Sequence, residues 1–179
     1  ANPGRHPGRD FEGAHRIDGP LGPVTEQSFP RVDQDVGIVR RSGQHTGLAI
    51  PQHSRGRSWH RLGVAAGLTH LGVNLVQLAP GAWSSQRHWH THEDEFVYVL
   101  SGELVLVTDE AEEVLVAGDS AGFPAGVRNG HCLQNRSPAD ATFLVAGNRS
   151  NEDGGEYSDI DMAFKPGRYT GGGAYFHKD

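Results

Sequence analysis

The chain has 179 residues, a length that suits one domain with extended arms better than two independent cores. Its formal net charge of −6, from 16 basic and 22 acidic side chains, gives no basic excess for binding phosphates, so we predict no nucleic-acid partner. The 25 glycines and 10 prolines indicate many tight turns and argue against an all-helical bundle.

The sequence also gives an expectation about location. No apolar run approaches the ~20 residues of a membrane span, and the first residues lack the apolar core of a signal peptide. Because Cys132 is the single cysteine, an internal disulfide is excluded and nothing requires an oxidising compartment. We therefore predict a cytoplasmic protein with no membrane partner, although a start at Ala1 leaves removal of a targeting segment as an alternative.

Residues 1–69 are polar and interrupted by prolines, with only short apolar stretches such as residues 36–39 and 48–50. Such a segment cannot bury a core of its own. We expect an N-terminal arm with edge strands that packs on the rest of the chain, and the alternative for residues 1–20 is partial disorder.

Residues 70–147 consist of short apolar segments separated by glycine and aspartate turns, which is typical of a sandwich or barrel. The predicted strands cover residues 73–78, 95–100, 103–108, 114–116, 131–134 and 142–146. Residues 148–179 return to the composition of a loop, and we expect this C-terminal tail to pack on the barrel.

The two central strands are apolar at both odd and even positions, over residues 96–100 and 103–107. Both faces should therefore be buried. One face can line a barrel interior, and the other needs a second sheet layer, the N-terminal arm or another subunit. We predict a homodimer from this pattern.

The densest chemistry lies in residues 81–95. His88 and His90 project from the same face of a strand, a spacing that lets two imidazoles bind one cation. Glu95 would face away on a continuous strand, so the prediction requires a bend through residues 91–94 that returns Glu95 toward the histidines. His131, which follows Gly130 at the start of a later strand, is the fourth candidate.

These residues closely resemble the two sequence motifs of the cupin superfamily. The first motif, with glycines flanking a His-x-His pair and a glutamate, is matched by Gly81, His88, His90, Glu95 and Gly102. The second motif is matched by Gly118, Pro124, Gly126, His131 and Asn135. The gaps before His88 and His131 are slightly longer than usual. The resemblance covers about residues 70–147 and is strongest to small single-domain bacterial metal-binding cupins with a conserved barrel of the cupin 2 type, some of which are described as sugar-phosphate isomerases by similarity.

The resemblance implies an all-β fold, a double-stranded β-helix or jelly-roll barrel with a long N-terminal arm and a C-terminal loop tail. It also implies that His88, His90, Glu95 and His131 converge on one divalent metal ion per chain. Three imidazoles and one carboxylate suit Fe²⁺, Mn²⁺, Ni²⁺ or Zn²⁺.

Further residues near these motifs are weaker candidates. Besides Glu95, His92 is a candidate catalytic residue at the pocket mouth, and the alternative is a solvated loop residue. Glu93 competes with Glu95 as a ligand if the turn is shifted. Arg128 and Asn129 lie in the loop above the proposed metal and are candidates for binding an anionic substrate, although loop arginines are commonly just solvated.

The predicted function is a metal-dependent enzyme acting on a small oxygen-rich metabolite, such as a hydroxy acid, keto acid or sugar. The metal would act as a Lewis acid, in an isomerase, epimerase or lyase, or would activate O₂ in a dioxygenase. The alternative is a non-enzymatic module that binds or senses a small molecule. Many cupins of this second kind also carry a DNA-binding helix-turn-helix. No segment of this sequence has the helical periodicity of that motif, which favours the enzyme.

Overall fold

The computed structural model of the chain describes residues 55–171 and 175–178. Most of the predicted N-terminal arm, including residues 1–20, lies outside the described residues. Within them the fold is all-β, as predicted, with short strands and one four-residue helix, α1 (Leu62–Ala65). No helix in the described part of the chain has the length and apolar character needed to cross a membrane.

The strands follow one another closely along the chain. They are β1 (Arg57–His60), β2 (Leu71–Leu78), β3 (His88–His90), β4 (Glu95–Ser101), β5 (Glu103–Val107), β6 (Glu112–Val116), β7 (Ser120–Phe123), β8 (Cys132–Gln134), β9 (Ala141–Asn148), β10 (Gly155–Tyr157), β11 (Ala163–Phe164) and β12 (Tyr175–Phe176). All six predicted strands occur, with ends shifted by at most two residues. β7 and the three tail strands were not predicted, whereas β1 lies at a sheet edge within residues 1–69, where edge strands were expected without bounds.

The strands form two layers. One layer is an antiparallel sheet of five strands in the order β1-β2-β9-β4-β7. The other contains the sheet β6-β5-β8 and the sheet β12-β11-β10-β3, which meet where His88 and His131 form an isolated antiparallel bridge. This arrangement agrees with the predicted jelly-roll barrel.

The core lies between the layers and consists of the side chains at alternate strand positions, because successive side chains of a strand point to opposite faces. In β4 these are Val97 and Val99, which are almost fully buried. The largest fully buried apolar side chains of the core are Phe143, Leu78, Leu104, Leu115, Val76, Val97 and Val99. The core therefore fills the barrel interior on one side of the histidine bridge.

The opposite face of the five-stranded sheet is also apolar. Cross-strand neighbours form two rows across β2, β9 and β4, and all their side chains are half-buried. The rows are Val73, Ala146 and Phe96, and Leu75, Leu144 and Tyr98. In β5, Leu104, Val105 and Leu106 are all buried, so both faces of that strand are covered.

The C-terminal tail, predicted as loop, is mostly loop with three strands of two or three residues. Its first strand, β10, pairs with β3 and places Gly155 opposite His90 and Tyr157 opposite His88. Gly155 is required by this close approach, because a Cβ at this position would collide with the carbonyl oxygen of Trp89 and the ring of Phe164. The tail therefore forms a wall beside the strand that carries the two histidines.

Candidate metal centre

Three elements bring the histidines and the glutamate together. His88 and His90 begin and end β3, and Glu95 is the first residue of β4. Residues 91–94 between them contain a bend, as the sequence requires. His131 lies directly before β8, where its backbone N–H and carbonyl pair with those of His88 at 3.0 and 3.2 Å.

The side chains of these residues converge. One ligand atom from each of His88, His90 and Glu95 lies within 4.8 Å of the others. His131 joins them, since its Nε2 is 3.5 Å from Glu95 Oε1 and its ring centroid is 5.2 Å from that of His88. The structure thus brings together the four residues that the sequence analysis proposes as ligands.

Among the four residues, His131 has the environment that most specifically indicates a bound cation. Its side chain is only 4% exposed, and its ring stacks on Phe123 with centroids 3.6 Å apart. Neither ring nitrogen makes a well-directed hydrogen bond among the described residues, although Nε2 faces the Glu95 carboxylate at 3.5 Å. An unpaired buried polar group costs about 1–3 kcal/mol, and a metal ion bound by a ring nitrogen would supply the missing partner. The donors fit a divalent ion of intermediate softness.

The electrostatics of the cluster favour the ligand forms of these side chains. Burial and the neighbouring His131 lower the pKa of His88 to about 3, so the imidazole is neutral at physiological pH. Burial raises the pKa of Glu95, but its interactions with His131, His88 and His90 outweigh burial and lower the pKa to about 2. A neutral imidazole and an ionised carboxylate are the states that bind metals.

Both histidines of β3 are held through Nδ1. The Nδ1 atom of His88 is 3.0 Å from the Gln86 carbonyl oxygen and 3.2 Å from Ser85 Oγ. The Nδ1 atom of His90 is 2.8 Å from Asp153 Oδ2. Hydrogen bonds at Nδ1 leave Nε2 of each ring as the nitrogen for coordination, which is the usual arrangement of metal-binding histidines.

A second group of side chains, His90, Glu93 and Asp153, also lies close enough to hold a cation. Here the guanidinium of Arg168 already pairs with both Glu93 and Asp153. Glu93 also accepts hydrogen bonds from the Ser150 N–H and the Tyr169 hydroxyl. Its carboxylate therefore belongs to an ion-pair network, whereas the carboxylate of Glu95 faces His131.

The other predicted site residues lie outside the cluster. His92 is exposed on the bend, with Nδ1 2.8 Å from Thr91 Oγ1. Arg128 is exposed, and its guanidinium carbon is 5.1 Å from the centre of the Trp89 ring. Asn129 is buried, and its Oδ1 accepts the Asp109 N–H at 3.0 Å.

Of these three residues, Asn129 has a direct relation to the cluster. Together with His90 and His131 it lines a cavity of about 10 Å³, which is room for about one water. The catalytic role of His92 and the substrate-binding roles of Arg128 and Asn129 stay predictions.

Several neighbours of the cluster come from the tail, and sequence analysis missed them. Asp153 contacts His90, the Tyr157 ring centroid is 5.7 Å from that of His88, and the Phe164 centroid is 5.3 Å from that of His90. None of these residues belongs to the two cupin motifs or lies at a fixed sequence spacing from the histidines. The one signal in the sequence was the pair of glycines at 154–155. These glycines permit a close approach of the tail backbone to another element, but the sequence does not identify that element.

Comparison with known proteins agrees with this geometry. The family model described as a cupin domain matches residues 74–147. The crystal structure of a cupin-superfamily sugar phosphate isomerase from Silicibacter pomeroyi is 48% identical, with a TM-score of 0.71, over 84% of this chain and 94% of that one. The chain therefore belongs to the cupin superfamily.

A second similar structure carries a related description. It is a candidate sugar phosphate isomerase from Acidithiobacillus ferrooxidans, 31% identical with a TM-score of 0.63, over 68% of this chain and 76% of that one. No protein of curated function matches the sequence at a significant level. The family model ends at residue 147, so the tail that contacts the cluster lies outside it.

Proposed function

We propose that this chain is a metal-dependent isomerase of a phosphorylated sugar, with one divalent ion held by His88, His90, Glu95 and His131. The observation that carries the proposal is the convergence of these four side chains, including a buried His131 ring without hydrogen-bond partners in the described chain. The two similar proteins described as sugar phosphate isomerases support the choice of reaction and substrate.

In the proposed centre, the ion and the protein have separate chemical roles. A bound Fe²⁺, Mn²⁺, Ni²⁺ or Zn²⁺ ion would supply Lewis-acid polarisation of a substrate carbonyl. The protein keeps the imidazole of His88 neutral and the carboxylate of Glu95 ionised, as their lowered pKa values require. It also fixes the ring of His88 through the Gln86 carbonyl, so the donors are oriented before substrate arrives.

Tyr157 is a candidate for binding substrate oxygens, because its ring packs against His88. Burial and the nearby Tyr175 raise the pKa of Tyr157 above its usual range. The phenol therefore stays protonated and can donate a hydrogen bond to a hydroxyl or carbonyl oxygen of a sugar.

A phosphate group needs a cation, and Arg57 is a candidate to provide it. This half-buried guanidinium donates to the Ser84 carbonyl and lies near the Tyr157 side chain. We propose that Arg57 attracts the phosphate of the substrate. Arg57→Met should raise KM with little change in kcat, and the exposed neighbour Arg55 offers the matched control, since Arg55→Met should leave KM unchanged.

The function is tested by loading the purified protein with Mn²⁺, Ni²⁺, Zn²⁺ or, without air, Fe²⁺, and adding a panel of aldose and ketose phosphates in D₂O. Proton NMR should show the signals of a new isomer. It should also show loss of the proton signal at a carbon next to the carbonyl as solvent deuterium replaces that proton, because isomerisation moves a proton through an acid–base group. Glu95→Gln should lose both signals.

Other outcomes would replace the proposal. Consumption of O₂ by the iron form with a hydroxy or keto acid, without isomerisation, would point to a dioxygenase. Metal and sugar-phosphate binding without turnover or deuterium exchange in any metal form would point to the non-enzymatic binding module.

Homodimerisation is also part of the proposal. The apolar rows on the outer face of the five-stranded sheet, which include Phe96 and Leu144, are the surface that a second copy would cover. Light scattering at micromolar concentration should give the mass of a dimer, and Phe96→Ser should shift it toward the monomer. A monomer mass for the unaltered chain would contradict this part. The cytoplasmic location stays a prediction.

A further inference from the structure

The C-terminal tail reaches the proposed metal centre through one buried carboxylate. Asp153 is 0% exposed and belongs to the loop that leads into β10. Its Oδ2 lies 2.8 Å from Nδ1 of His90, and its Oδ1 accepts the backbone N–H of His92 at 3.0 Å. One oxygen of Asp153 thus contacts the last residue of β3, and the other accepts a hydrogen bond from the bend that follows it.

The pairing of Asp153 with His90 has a direct consequence for the imidazole. An ionised carboxylate can only accept hydrogen bonds, so in the neutral form of the His90 ring, which metal binding requires, the proton must be on Nδ1. Nε2 is then left with its lone pair. A carboxylate behind a histidine also fixes the orientation of the ring and raises its basicity toward a metal.

Asp153 is itself held by Arg168. The guanidinium nitrogen Nη2 lies 3.1 Å from Asp153 Oδ2 and also pairs with Glu93, which is 7% exposed. The guanidinium carbon lies 5.3 Å from the ring centres of Phe164 and Tyr169. Two buried carboxylates would repel each other without this cation, and removing one partner of such a pair leaves an uncompensated charge.

We infer that Asp153 is a positioning residue for the metal centre, which sets the Nδ1–H tautomer and the ring orientation of His90, and that Arg168 anchors Asp153 in this role. The inference rests on the proposed function, because it assumes that His90 binds a metal through Nε2. It assigns to the tail, which lies outside the matched family region, a part in building the centre.

The first test needs no substitution. Long-range ¹H–¹⁵N NMR of the metal-free protein at neutral pH should show His90 as the Nδ1–H tautomer. A dominant Nε2–H tautomer would overturn the inference, whatever metal affinity the variants described below show.

The second test compares Asp153→Asn with Asp161→Asn in the full-length chain. An asparagine keeps the size of the side chain but can offer an N–H to Nδ1, which favours the tautomer that blocks Nε2. We expect zinc affinity, measured by chelator competition, to fall about 10- to 100-fold, and His90 to lose its preference for Nδ1–H. Asp161 lies in the same tail but is exposed and faces His177, so Asp161→Asn should change neither quantity.

Arg168→Met extends the test, with Arg149→Met as its control. Both arginines lie over the Tyr169 ring, but Arg149 donates to the Leu68 carbonyl and pairs with neither carboxylate. We expect a several-fold loss of zinc affinity for Arg168→Met alone. Unchanged affinity and an unchanged His90 tautomer in Asp153→Asn would overturn the inference even if the protein binds zinc.

The two proposals fail in different ways. If the unaltered protein takes up no metal, the proposed function fails, even if His90 is the Nδ1–H tautomer and loses this preference in Asp153→Asn. If the protein binds metal and turns over substrate but Asp153→Asn behaves like Asp161→Asn, only the positioning role fails.

Discussion

The barrel, residues 71–148, and the tail, residues 150–178, are held by different forces. The barrel is closed by an apolar core between its two layers, with side chains such as Val97 and Phe143 fully buried. The tail has strands of at most three residues and is attached to the barrel by the ion pair of Arg168 with Glu93, by ring contacts and by the pairing of β10 with β3.

The two regions also contribute differently to the candidate centre. The barrel provides all four proposed donors, whereas the tail provides Asp153 behind one of them. The four proposed donors thus lie in the region that the family model matches, whereas the carboxylate inferred to position one of them lies outside it. Changes in the barrel should remove metal binding, and changes in the tail should weaken it.

The largest effect is expected from the donors themselves. His90→Ala or His131→Ala should abolish tight metal binding while leaving a folded barrel, because each removes a proposed donor and neither belongs to the apolar core. Elemental analysis together with circular dichroism checks this. Full metal stoichiometry in His90→Ala would show that the donor assignment is wrong.

The contact between the two regions can be tested at Gly155. Gly155→Ala should destabilise the protein by about 1–3 kcal/mol, because the added methyl group has no room against Trp89 and must displace β10 from β3. Gly122→Ala is the matched control, since Gly122 also lies in a strand but has open space at its Cβ position. Urea unfolding compares the two variants, and equal stabilities would contradict the close packing of tail on barrel.

The half-buried His88 of the barrel predicts how the stability of the metal-free protein depends on pH. The folded-state pKa of His88, lowered from 6.5 to about 3, lies below that of the unfolded chain. The unfolded state therefore binds more protons within this range, and the free energy of unfolding should fall as pH is lowered through it. Glu95, lowered from 4.5 to about 2, acts with the same sign at lower pH.

Urea unfolding in the presence of a chelator, at pH values from 7 down to 4, measures this dependence. His88→Asn should flatten the profile between about pH 6.5 and pH 5. A flat profile in the unaltered protein would contradict the lowered pKa of His88.

The smallest effect on metal binding is expected at His92. Its ring is exposed and bonded to Thr91, so His92→Ala should retain the metal. Loss of metal in this variant would mean that the donor set is shifted by two residues. A large loss of turnover with metal retained would support its predicted catalytic role.

A sandwich or barrel could be predicted from short apolar segments separated by glycine and aspartate turns, and the resemblance to the cupin motifs implied the jelly-roll barrel. Within each strand, successive side chains alternate between the two faces with a period of two. The His88 and His90 spacing and the bend before Glu95 follow from the same period. Asp153 and Arg168 could not be found this way, because they lie 63 and 75 residues from the side chains that they contact, His90 and Glu93. The tail strands were missed because two or three residues are too few to show a period.

The most direct measurement is elemental analysis by plasma mass spectrometry of untagged protein purified without a chelator or an immobilised metal. The account predicts about one Fe, Mn, Ni or Zn ion per chain, bound by the His88, His90, Glu95 and His131 cluster. Much less than one ion per chain, with no uptake when these metals are added back, would contradict it.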